Sequence, residues 1–125
     1  MAKTKFCEGI SDISDSYMGF IIDQWGVLHD GEDLFPGAVD CLKELKERKK
    51  TILILSNSDE RAETNKERLK KMGLGPSLYN AIVTPAEVLW EGFNSRKEGV
   101  FDRLGKRCYI FGRRGQEDVY KDSGI

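Results

Sequence analysis

An α/β fold on a parallel sheet with flanking helices is the class this 125-residue chain predicts. Three observations carry it. Short, nearly continuous apolar runs recur as "YMGFIID", "TILILSNS", "NAIVT" and "CYIFG". Such runs read as strands buried on both faces, the habit of parallel rather than antiparallel sheets. Between them lie segments with apolar residues at helical spacing, and that alternation builds a parallel sheet with helices on both of its faces.

The elements follow in order. Residues 1–15 are polar and aperiodic and read as a lead-in with a short turn. The first strand ends near Asp23, and "GVLHDGEDLFPG" is a loop rich in turn residues. Ala38, Cys41, Leu42 and Leu45 then share one face of a helix. Its charged run "KELKERKK" reads as a solvated face, and its basic end suits the negative pole of the helix dipole. After the second strand, "DERAETNKERLKKMG" predicts a helix with Ala62, Leu69 and Met72 inward and Gly73 as its C-terminal cap. A third short strand leads to Thr84, Pro85 and Glu87, a capping box that starts another helix with Val88, Leu89 and Phe93 inward. "SRKEGVFDRLG" prolongs that helix or starts another, "KRCYIFGRRG" reads as a fourth strand, and "QEDVYKDSGI" begins a last helix.

Composition narrows the function classes. With 20 basic and 21 acidic residues the net charge is −1, which argues against non-specific nucleic-acid binding and gives no membrane-surface signal. No apolar run approaches the ~18 residues that a bilayer requires. The opening residues, "MAKTKFCEGISD", lack the apolar stretch of a secretory signal. Cys7, Cys41 and Cys108 fit no zinc or redox spacing, so reduced thiols in a cytoplasmic compartment are expected. A chain of this length buries roughly 65–70% of its unfolded surface, enough for one core.

Chemistry concentrates where two strands end. The first delivers Asp23 and the second delivers Ser56-Asn57-Ser58. In parallel α/β sheets ligands sit beyond the carboxyl ends of the strands, where strand order reverses. If these two strands are neighbours, a carboxylate able to attack phosphorus stands beside a hydroxyl able to hold a phosphoryl oxygen. Backbone amides at the following turns would add anion stabilisation. The plainer reading is that Asp23 caps a turn and Ser-Asn-Ser opens a helix.

The run "IIDQWGVLHDG…FPGAVDCLKELKERKKTILILSNS" resembles the first half of the haloacid dehalogenase superfamily, and more closely its class IIA phosphatases. Asp23 matches the nucleophile of the first motif. Ser56 and Asn57 match the second, and Pro36-Gly37-Ala38 is typical of the class. "IVTPAEV" and "YIFGRRGQEDVYKDSGI" are similar to the segments that lead into an α/β cap. The resemblance implies a Rossmann-like core, incomplete here, over residues 1–88, and the start of a cap over 89–125. It further implies Mg²⁺-dependent hydrolysis of a small phosphorylated substrate through an aspartyl-phosphate. Asp23 would be nucleophile and metal ligand, Trp25 a metal ligand through its backbone carbonyl, and Ser56 and Asn57 the phosphate holders.

The chain also departs from the pattern. Most of the superfamily has a second Asp two residues after the nucleophile, as acid and base; here it is Trp25. An indole N–H donates hydrogen bonds but transfers no proton near neutral pH, and losing a positioned acid–base group costs about 10²–10⁴ in rate. Gln24, Trp25, Gly26, Val27 and His29 are similar to a subset of class IIA whose first motif reads Asp-x-Trp-Gly-Val. His29 is read as packing the loop, with a substitute acid as the alternative. The later Lys motif and paired-Asp motif of the superfamily have no match. "YIFGRRGQED" fails as the latter because Arg113 and Arg114 follow its glycine, and these two arginines read as a solvated loop, with binding of a substrate anion as the alternative. The 125 residues alone are therefore expected to be inactive, with an exposed sheet edge open to self-association. The rival reading is a non-catalytic remnant that binds a phosphorylated ligand or a partner protein. Trp90 and Phe93 read as packing residues, and Cys41 as pointing inward.

Overall fold

The computed structural model describes residues 4, 6–97, 99–112, 115 and 117–121. Its centre is a three-stranded parallel sheet in the order β1 (Gly19–Asp23), β2 (Thr51–Leu55), β3 (Ala81–Val83). Register pairs Phe20 with Ile52 and Ile22 with Ile54, which in turn pairs with Ile82. Because side chains alternate across a strand, these residues fall on one face of the sheet. Ile52, Ile54 and Ile82 are buried there, with Phe20 and Ile22 packed against them.

The helices supply the rest of the core. A short α1 (Ser11–Ser14) precedes the sheet. Leu42 and Leu45 of α2 (Ala38–Glu47) are buried, with Ala38 and Cys41 packed against the core, as the helical spacing requires. In α3 (Ala62–Lys71) Ala62 and Leu69 are buried while Met72 is only half-buried at the C-cap. Gly73 follows with φ +101, and the Leu74 amide donates back to the Leu69 carbonyl at 2.9 Å. That backward bond is how a glycine in the left-handed region closes a helix.

Five sequence expectations change. The first strand is not buried on both faces: it is an edge strand, and Ile21 is 71% exposed on the face opposite Phe20 and Ile22. In α4 (Pro85–Ser95) Thr84 caps as expected, accepting from the Glu87 amide at 3.1 Å, but Val88 and Leu89 are exposed and Ala86 is the buried residue. Only one half of the capping box forms, because the Glu87 carboxylate is engaged by Arg61 and the Ala62 amide. No fourth strand forms over residues 106–112; these residues are exposed and pair with no strand among the described residues. An apolar run becomes a strand only where a partner satisfies its amides and carbonyls, and here Tyr109 and Phe111 stack on each other instead. Where a last helix was expected, Glu117–Val119 makes a single 3₁₀ turn; Arg113, Arg114, Gln116 and residues 122–125 lie outside the described residues.

After α4 the chain folds back. Phe101 meets Phe93 edge-on at 5.6 Å and Arg96 reaches the Leu104 carbonyl at 3.0 Å. The helix itself runs unbroken past residues 88 and 89. Among the described residues, no helix is long and apolar enough to cross a membrane.

Candidate functional site

Asp23 is the last residue of β1 and pairs in register with Leu55, the last residue of β2. Ser56 therefore begins one residue beyond the position opposite Asp23. The two side chains line one cavity of about 420 Å³ at the carboxyl ends of these strands, with Gln24, Trp25, His29, Asn57, Ser58, Asp59, Asn65 and Arg68. The strand order is simply 1-2-3, so the site forms at strand ends without the expected reversal among the described strands.

Local hydrogen bonds hold the two functional loops. The Gln24 amide donates to Asp23 Oδ1 at 2.8 Å, leaving the exposed carboxylate with further acceptor capacity. The Ser56 amide extends the ladder to the Val83 carbonyl at 3.0 Å. Its buried Oγ accepts from the Ser58 amide at 3.2 Å, which pins the hydroxyl in a turn at the cavity wall. Asn57 is exposed beside it.

His29 resolves as a brace. It is 1% exposed; its Nδ1 accepts from the Gly31 amide at 2.9 Å and its Nε2 lies 3.1 Å from the side-chain amide of Gln24. An imidazole that accepts at Nδ1 carries its proton on Nε2, so the Gln24 atom facing it must be the accepting oxygen. Burial lowers the His29 pKa, the Arg68 charge lowers it further, and Asp30 opposes. Both ring nitrogens serve the loop, as the packing reading of His29 required. Trp25, 61% exposed, meets the His29 ring edge-on at 5.7 Å. Its indole leans on Gly31, whose φ is +116; a Cβ there would come within 2.5 Å of the ring.

Sequence reasoning missed Asn65 and Arg68, both on α3. Asn65 is fully buried and its Nδ2 donates to the Glu60 and Arg61 carbonyls and to Ser58 Oγ. Its Oδ1 is buried without a hydrogen-bond partner. Arg68 is the cation among the described lining residues and is paired with Glu60. The available signal was the i, i+3 spacing of Asn65 and Arg68, one helix face flanking the apolar Leu69.

The donor set suits a hard cation only in an open site. Asp23 and Trp25 line the cavity, and no group of three or more His, Cys, Asp or Glu side chains gathers to hold a metal among the described residues. Mg²⁺ tolerates such a site when waters and substrate phosphates complete its shell.

Comparison with known proteins bears on the family and the fold. A family model described as haloacid dehalogenase-like hydrolase matches residues 20–125. A haloacid dehalogenase-like hydrolase from Brucella suis 1330 superposes with a TM-score of 0.79 at 22% identity, over 96% of this chain and 41% of that one; at that identity the likeness speaks to fold. A 4-nitrophenylphosphatase from Thermotoga maritima has a TM-score of 0.64 at 28% identity, over 90% of this chain and 41% of that one. A Caenorhabditis elegans protein, provisionally described as a NipSnap protein, is 26% identical over 116 residues, 91% of this chain and 22% of its own length. The chain thus spans well under half the length of each of these relatives.

Proposed function

The chain belongs to the haloacid dehalogenase-like hydrolase family, and from that premise we propose that its cavity is part of a class IIA site for Mg²⁺-dependent phosphomonoester hydrolysis. The observation that carries this reading is the meeting of Asp23 and Ser56 at one cavity, on the adjacent ends of two parallel strands. The 4-nitrophenylphosphatase among the solved relatives supports it.

In this reading Asp23 attacks phosphorus: an O–P bond forms to its carboxylate while the ester O–P bond breaks and the leaving oxygen departs as an anion that takes its proton from solvent. Water then cleaves the aspartyl-phosphate and regenerates the carboxylate. Ser56 and Asn57 hold the phosphoryl oxygens. Asp23 and the Trp25 carbonyl would hold Mg²⁺, which when bound neutralises phosphoryl charge. Neither Trp25 nor the doubly engaged His29 delivers a proton to the leaving oxygen. Substrates whose leaving groups depart without an acid, such as phenols and carboxylates, are therefore favoured. The reduced state of Cys7, Cys41 and Cys108 suits a cytoplasmic setting.

The second reading is a non-catalytic binder of a phosphorylated ligand or a partner protein, and the open donor set favours it for these 125 residues alone. Hydrolysis of 4-nitrophenyl phosphate in Mg²⁺ separates the two. The 125 residues are expected to match their Asp23→Asn variant, whereas any longer product of the same gene should turn over substrate and lose that turnover in Asp23→Asn. A longer product as inactive as its Asp23→Asn variant would leave the binding reading in place.

A further inference from the structure

We infer that Arg68 binds the phosphoryl group of the ligand, and that Glu60 holds its guanidinium until that group arrives. The inference rests on the phosphoryl reading of Asp23 and Ser56 and adds to it a binding residue and its competitor.

Charge is the first argument. A phosphate monoester carries a charge of about −2 near neutral pH, and in this cavity it would stand beside the Asp23 carboxylate. Like charges at that range repel, so the site needs positive charge as well as hydrogen bonds. Arg68 is the cation among the described lining residues. His29 shares the cavity, but its Nδ1 accepts from the Gly31 amide and its ring is neutral. An arginine keeps its charge at any working pH.

Placement is the second. Arg68 lies one turn after Asn65 on the same face of α3. Asn65 ties that face to the phosphate loop: its Nδ2 donates to Ser58 Oγ at 3.3 Å, and the Ser58 amide donates to Ser56 Oγ at 3.2 Å. Long side chains on a helix lean back toward its N-terminus. Arg68 does so and meets Glu60, which precedes α3. Its charge also reaches His29, in the loop that follows Asp23, and lowers the imidazole pKa.

Exchange is the third. Glu60 does not line the cavity, and both of its carboxylate oxygens accept from a single nitrogen, Nη2. A guanidinium offers several donors in a planar fork that matches the edge of a phosphate, so one nitrogen is not its full capacity. The two side chains are 38% and 31% exposed, and ion pairs this open contribute little to stability. A phosphate dianion brings more charge and more acceptor oxygens than one carboxylate, and it displaces Glu60 at low cost.

NMR titration of inorganic phosphate into the 125-residue chain in Mg²⁺ buffer tests this, with the Arg68 Nε–H resonance as the reporter of contact. Phosphate should shift that resonance. Arg68→Gln should weaken phosphate binding about tenfold or more, the scale of hydrogen bonds to a charged group. Arg68→Lys keeps the charge without the fork and should retain part of the affinity. Glu60→Gln should tighten binding about two- to fivefold, the worth of a half-exposed ion pair, and no folding defect produces a gain. In the double variant of Glu60→Gln and Arg68→Gln that gain should vanish. A gain that survives without Arg68 would overturn the exchange. Phosphate binding that leaves the Arg68 resonance unmoved, or that is weakened by Ser56→Ala but not by Arg68→Gln, would overturn the inference and leave the phosphoryl reading standing. A wild-type chain that binds no phosphate would overturn both.

Discussion

Glu87 ties the start of α4 to the start of α3 through Arg61. Arg61 Nε and Nη2 donate to its two carboxylate oxygens at 3.1 and 2.9 Å, and the Ala62 amide donates to Oε2 at 2.9 Å. The Arg61 guanidinium also lies 3.7 Å from the centre of the Trp90 ring. This clamp closes the loop from Ser56 to Arg61, which carries the Ser56 wall of the candidate site. Both side chains are mostly shielded, which keeps the charge-assisted bonds strong.

Removing the clamp should be felt as instability. Glu87→Ala is expected to lose about 2 kcal/mol, the scale of hydrogen bonds to a charged group. The hydrogen bonds from Arg61, opposed by burial and helped by the Ala62 amide, lower the Glu87 pKa from 4.5. That stabilisation is present above the unfolded value near 4.5 and is lost as pH falls through the folded value. Urea denaturation of wild type and Glu87→Gln should therefore show a gap at pH 7 that narrows toward pH 3. A gap independent of pH would contradict the ionic role.

His29 should make the fold sensitive to mild acid. Its folded pKa lies below 6.5, so the unfolded chain binds the proton more readily. Stability is then whole above about pH 6.5 and falls as pH drops toward the folded value. Protonation at Nδ1 would also break the bond from the Gly31 amide. The melting temperature of wild type should decline between pH 7.5 and 5.5 more steeply than that of His29→Gln. Parallel slopes would show that His29 is not the titrating group.

Gly31→Ala combines two penalties. The backbone sits at φ +116, which side chains rarely adopt, and the new Cβ would press into the Trp25 ring at 2.5 Å. A loss of about 1–3 kcal/mol is expected from the strained backbone. The Trp25 emission, read in a Trp90→Phe background, should shift as the indole is displaced. An unchanged spectrum would mean that the ring does not rest on Gly31.

Self-association through β1 is proposed from its place at the sheet edge. The strand leaves one row of backbone groups unpaired by β2, and Met18 and Ile21 expose apolar surface beside it. Sedimentation velocity should detect species larger than the monomer, and Ile21→Lys should shift them toward monomer. A monodisperse wild-type monomer would remove the proposal.

Strand and helix positions through α3 were legible because each segment is locally consistent. The "ILIL" run, the stripe of Leu42 and Leu45, and the glycine after α3 each point to one structure by short-range chemistry. Asp23 and Ser56 were legible for the same reason, as polar residues that end apolar strands. The segment "CYIFG" misled because periodicity reports what a strand would bury, not whether a neighbour exists to pair with it. Val88 and Leu89 misled because the buried face of α4 depends on where the helix lies, and Ala86 holds that face.

What the sequence by itself determined is the alternation of strands and helices in a parallel sheet and the two strand ends that carry Asp23 and Ser56, whereas the order β1-β2-β3 was left to the tertiary structure. The tertiary structure alone decided that those ends open on one cavity, that Arg68 and Asn65 reach it from α3, and that His29 turns both nitrogens inward to Gln24 and Gly31. It also decided that Glu87 leaves its own helix cap to grip Arg61, 26 residues away. The reason is range. Helix and strand formation answer to neighbours within a few residues, whereas which side chain meets which across a site depends on the packing of elements far apart in the chain.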